Sequence, residues 1–176
     1  MKSTTKKLCR AGVIAALYAV LTYAFAPVAF GPIQIRPAEA LCILPVFFAE
    51  AVPALYVGFL LANLTSPFLL YDMTVGASAT LLGAIGTYLV GRYLKQRWVK
   101  VVLGGFSPVF FNTVIIPFVI VVLCGDASAG ETVVGAYFTV ALSIFLTETI
   151  CVYGLGAPLY RFFEKNLNYT QVGTKL

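Results

Sequence analysis

Histidine is absent from the 176 residues and charge is scarce, at 11% of the chain against 60% apolar. Without an imidazole there is no His general base, no His metal ligand and no ordinary pH sensor. A soluble domain carries about 25% charged residues, so a mean hydropathy of +0.93 excludes a water-soluble globule. The four cysteines (Cys9, Cys42, Cys124, Cys151) show no C-x-x-C spacing and read as small apolar filler. Neither Gly-x-x-x-x-Gly-Lys-Ser/Thr, His-Glu-x-x-His nor a nucleophile elbow occurs. The expectation is a chain with no ATP site, catalytic set, cofactor or metal of its own.

What is present is apolar sequence in six stretches, at about 11–30, 33–50, 52–69, 73–91, 101–124 and 132–157. Each is long enough, or nearly so, to cross a hydrocarbon core of about 30 Å as a helix. The expected fold is an all-α membrane protein, residues 1–176 forming one integral membrane domain of six transmembrane helices. With the N-terminus in the cytoplasm, the inner side receives Lys2, Lys6, Lys7, Arg10, Arg92, Lys95, Arg97, Lys100, Arg161, Lys165 and Lys175. Only Arg36 falls outside, and the outer loop 125–131 carries Asp126 and Glu131 with no basic residue. That asymmetry obeys the positive-inside rule and sets both termini in the cytoplasm. The net charge of +5 therefore fixes topology and meets anionic lipid headgroups rather than nucleic acid. The basic N-terminus imitates a signal peptide, but the apolar run behind it is too long for one and reads as a retained first span.

The second stretch is the irregular one. From Glu39 to Glu50 it holds 12 residues, about 18 Å of α-helix and too short to cross. Starting at Ile33 lengthens it enough, and a re-entrant hairpin over 39–63 is the alternative; two spans are expected. Prolines at 45, 53, 108, 117 and 158 free backbone carbonyls, which neighbouring helices or a wet cavity must satisfy. No internal repeat suggests an inverted-repeat transporter. The sequon Asn168-Tyr169-Thr170 falls in the expected cytoplasmic tail and is discounted.

Ionisable groups inside a bilayer are expensive and need a reason. Glu148 lies nine residues from the inner end of its stretch and Asn112 eleven from the inner end of its own, so both come to rest near mid-membrane. A facing Glu/Asn pair is a candidate ligand site. Nearer the outside stand Arg36, Glu39, Asn63 and Asp72. The two carboxylates also suit helix N-termini. The run Gly31-Pro32-Ile33-Gln34-Ile35-Arg36-Pro37-Ala38-Glu39 is expected to be a stiff outward loop, the mouth of a binding pocket. The first span carries Ala11, Ala15 and Ala19 at four-residue spacing, with Gly12 and Ala16 one step along. Such a stripe lets another helix approach closely.

A small six-span protein with an alanine stripe, an outward pocket and no motor resembles the substrate-capture (S) component of energy-coupling-factor transporters. Gly31 through Leu41, Leu44-Pro45 and Ala62-Asn63-Leu64 are similar to the queuosine-precursor transporter (QueT) family. So are Asp72-x-x-x-Gly76-Ala77-x-Ala79-Thr80-Leu81, Pro108-x-x-x-Asn112 and Thr147-Glu148. The likeness runs in order over about residues 8–160. Pro37 replaces an expected polar residue, and Thr147 stands where a glycine often precedes the glutamate. The resemblance implies an S-component-like bundle in a prokaryotic cell membrane and a 7-deazaguanine ligand such as a queuosine precursor, queuine or queuosine. It further implies a transmembrane coupling subunit and ATP-binding subunits as partners, docked through Ala11, Ala15 and Ala19. The ligand-binding residues expected are Arg36, Glu39, Asn63, Asp72, Asn112 and Glu148. An S component for another vitamin-like or purine-like micronutrient, a self-sufficient small transporter and an intramembrane enzyme remain as alternatives.

Overall fold

A computed structural model describes residues 3–29, 35–66, 69–125 and 132–173. Lys2, Phe30, Gly31-Pro32-Ile33-Gln34, Asp126, Glu131 and Lys175 lie outside the described residues, as do the side chains of the sequon 168–170. Every regular element among the described residues is helical. We label the principal ones α1 (Ser3–Ala24), α2 (Ala51–Ala62), α3 (Ala77–Tyr93), α4 (Arg97–Pro117), α5 (Val133–Thr149) and α6 (Gly156–Gly173).

Three π-helical segments interrupt or extend these elements: Asp72–Gly76 before α3, Phe118–Leu123 after α4, and Ile150–Leu155 joining α5 to α6. Among the described residues, four continuous helices are long and apolar enough to cross a membrane: Thr4–Ala24, Leu69–Tyr93, Arg97–Leu123 and Val133–Leu167. Their outer faces carry large apolar side chains such as Leu17, Val20, Phe138 and Leu142, as expected of a surface solvated by lipid tails.

In place of two further full-length spans, the chain has two shorter apolar helices, Pro37–Val46 and Ala51–Thr65. The first is wound as a 3-10 helix of 10 residues, with Pro37 in its first turn and Pro45 near its end. Ala38 through Pro45 are all buried. A helix apolar on every side belongs in the interior, and this one touches α1, α2, α3, α4, α6 and the π segment Ile150–Leu155. The slimmer 3-10 winding suits a central position, where backbones come close. A Cβ on Gly91 would lie 2.6 Å from the Val46 Cα.

These two short helices run side by side in opposite directions. The 3-10 helix begins beside Tyr18, which bonds Glu39, and its far end brings Phe48 under Arg10, 4.1 Å from the guanidinium carbon. From there α2 returns: Glu50 pairs with Arg10 at 2.8 Å, and Leu61 accepts from Tyr23 at 2.7 Å. Together they cover the depth of α1 from Tyr23 to Arg10. The basic end is closed by Phe47 against Tyr160 (4.8 Å), Phe48 against Phe163 (5.6 Å) and the pair Arg97–Glu164.

The alanine stripe faces inward. Ala15 and Ala19 are buried, Ala11 is half-buried, and Ala15 lies so close to α2 that a Cβ on Gly58 would sit 3.0 Å from its carbonyl oxygen. The close approach expected of the stripe Ala11, Ala15 and Ala19 is used at Ala15 within the chain, against α2. The small residues that α1 leaves open are Gly12 and Ala16.

Proline 108 shows how a freed carbonyl is satisfied. A proline in a helix removes the bond to the carbonyl four residues earlier, here that of Gly104. The Thr87 hydroxyl of α3 donates to that carbonyl at 2.7 Å, stitching α3 to α4.

Candidate functional site

Glu148 and Asn112 meet, as their matched depths predict. The Asn112 amide donates to Glu148 Oε1 at 2.7 Å, across α4 and α5, and both residues are buried. Each keeps one oxygen, Glu148 Oε2 and Asn112 Oδ1, buried with no hydrogen-bond partner. A buried polar atom left unpaired costs free energy, so these two oxygens are open to a donor.

Arg36 is drawn into the same place, although its position in sequence suggested an outward loop. It precedes the 3-10 helix in extended conformation and is 8% exposed, with its guanidinium carbon 5.9 Å from the centre of the Phe59 ring. Arg36, Phe59, Asn112, Ile116, Ile144 and Glu148 line one cavity of about 10 Å³. That space holds about one water molecule. Arg36 and Glu39 of the outer group thus come within electrostatic reach of Glu148, whereas Asn63 and Asp72 do not line this cavity.

Glu39 differs from Glu148. Its Oε1 accepts from the Tyr18 hydroxyl and its Oε2 from the Cys42 thiol at 3.0 Å. Side chains three residues apart eclipse in a 3-10 helix, which places Cys42 directly against Glu39. Both carboxylate oxygens are occupied, so this acid fastens the central helix to α1. Asp72, in the π segment before α3, accepts from the Ser66 hydroxyl. Asn63 donates to the Phe59 carbonyl at 2.9 Å and leaves its own oxygen unpaired. Phe59 is the hub: Tyr18 stacks at 6.3 Å, and a Cβ on Gly76 would lie 3.2 Å from its ring.

Sequence reasoning missed Phe59, Tyr18, Ser66 and the role of Cys42. Tyr18 and Thr22 are the polar residues of the inward stripe of α1, which was a usable signal for Tyr18. Phe59, one of 14 phenylalanines, offered none.

The cavity has acceptors in excess: two free oxygens, on Glu148 and Asn112, beside one cation and one aromatic face. That chemistry favours a planar ligand rich in N–H donors with an oxygen for the arginine. Among the described residues, no cluster of three or more His, Cys, Asp or Glu could hold a metal.

Neither the curated proteins nor the solved structures include a match to this chain. A family model does: that of the QueT transporter matches residues 8–165. That range includes all six residues expected to bind ligand, from Arg36 to Glu148. A multi-pass membrane protein with four crossing helices and an acceptor-rich buried centre, the chain belongs to the QueT transporter family.

Proposed function

We propose that the chain is the substrate-capture subunit of an energy-coupling-factor importer in a prokaryotic cell membrane, and that its ligand is a 7-deazaguanine queuosine precursor, queuine or queuosine. The observation that carries this reading is the Glu148–Asn112 pair, which keeps two unpaired acceptor oxygens and lines a cavity with Arg36 and Phe59. A guanine-type edge presents adjacent N–H donors to such acceptors, its carbonyl suits Arg36, and its flat face suits Phe59. Because the cavity is only about 10 Å³, a bicyclic base enters by displacing side chains. Both termini lie in the cytoplasm on this reading. Transport requires partner coupling and ATP-binding subunits, since the sequence carries no phosphate-binding loop.

Titration calorimetry on the purified protein in nanodiscs tests it with 7-aminomethyl-7-deazaguanine, queuine, thiamine and riboflavin. Saturable binding of the deazaguanines alone supports the reading, and binding of a vitamin alone transfers it to another S-component class. Uptake by proteoliposomes holding only this chain would favour a self-sufficient transporter instead.

A further inference from the structure

Thr80 is 1% exposed and its hydroxyl has no hydrogen-bond partner. A threonine in a helix ordinarily bonds back to a carbonyl one turn earlier. Thr22, Thr87, Thr139 and Thr147 of this chain all do so. Thr80 does not, and of the helical threonines left unpaired (Thr80, Thr113 and Thr149) it is the most deeply buried.

Its place follows from the register of α3 on α4. Thr87 bonds the Gly104 carbonyl, and Gly83 abuts Pro108, where an added Cβ would lie 2.8 Å from the proline Cα. Each turn back along α3 thus meets one turn forward along α4, and the next rung sets Thr80 at the level of Asn112. One turn earlier still, Gly76 abuts the Phe59 ring. By that register Thr80 falls between the levels of Asn112 and Phe59, which line the central cavity, although Thr80 does not itself line it.

We propose that Thr80 is a specificity-determining residue of the ligand site, its hydroxyl donating to an oxygen on the ligand. The proposal rests on the reading of this centre as a base-binding site. The unpaired atoms of Glu148, Asn112 and Asn63 can only accept, whereas a hydroxyl can also donate. The unpaired hydroxyls of Thr113 and Thr149 each follow a cavity residue by one position and are turned about 100° from it on their helices. Among the described residues Thr80 carries the remaining buried unpaired hydroxyl, on the face of α3 that packs on α4. A carbonyl-bearing base finds there the neutral donor that the acceptors cannot supply.

The test compares Thr80→Val, Thr80→Ser and the unaltered protein in nanodiscs, by thermal unfolding without ligand and by calorimetry with 7-aminomethyl-7-deazaguanine. Thr80→Val keeps the shape and removes the hydroxyl. The expected results are an unfolding midpoint no lower than that of the unaltered chain, affinity weaker by about tenfold, and recovery of most affinity in Thr80→Ser. Equal affinity in Thr80→Val overturns the proposal. A lowered midpoint without ligand overturns it too, since the hydroxyl would then have a structural partner. If the unaltered protein fails to bind the deazaguanine, the ligand assignment fails. The midpoint comparison still decides whether the Thr80 hydroxyl is unpaired.

Discussion

Two buried acids separated by 109 positions do opposite jobs, and their partners say which. Glu39 has a donor on each oxygen, from Tyr18 and Cys42. Glu148 has one, from Asn112, and one oxygen free. Glu39→Gln turns an acceptor into a donor facing a hydroxyl or thiol. It should destabilise the empty protein by about 1–3 kcal/mol, read as a lower midpoint of thermal unfolding. Glu148→Gln can still accept from Asn112, so its empty form should unfold near the original midpoint. Deazaguanine affinity should instead fall about 5- to 150-fold, as an N–H is opposed by an amide; an unchanged dissociation constant in calorimetry would refute the assignment. The Glu148–Asn112 contact was legible because residue rise converts sequence distance from a charged flank into depth. Arg36 was misplaced by the same logic: a charge near an outer end was assigned to a loop, and a buried cluster of opposite charge draws it inward.

Helices were legible wherever apolar length and flanking charge agreed, which covers α1 and the long segments through Tyr93, Leu123 and Leu167. The 3-10 helix was not. Its burial on every side erases the periodic signal that reveals a helix face, and its winding follows from crowding by six neighbouring elements. The π segments were equally invisible, although Pro117 marks the start of one. The α3–α4 seam carries its own prediction. Thr87→Val removes the donor that satisfies the carbonyl freed by Pro108. It should cost about 1–3 kcal/mol, measured as earlier thermal unfolding in nanodiscs. Little change in that measurement would mean that another donor, such as water, replaces the hydroxyl.

The whole molecule is a bundle arranged around its least regular helix, with aromatic and ionic contacts tying Arg10, Glu50, Phe47, Phe48, Phe163 and Glu164 together at one end. The charge pattern predicts a cytoplasmic position for that end. A cysteine placed at Lys95, an exposed position between α3 and α4, should react with an impermeant maleimide in inverted vesicles and not in intact cells. Labelling from outside would invert the topology.

The pitch of the central helix sets where the site lies. At about 2.0 Å per residue, its 10 residues cover roughly 20 Å; wound as an α-helix they would cover about 15 Å. With Phe47 pinned among aromatic rings at one end, that difference of about 5 Å would be taken up at the other. Arg36 would be withdrawn from the level of Glu148. The 3-10 winding is thus a ruler: it gives ten residues the reach to hold a cation and a carboxylate in one cavity.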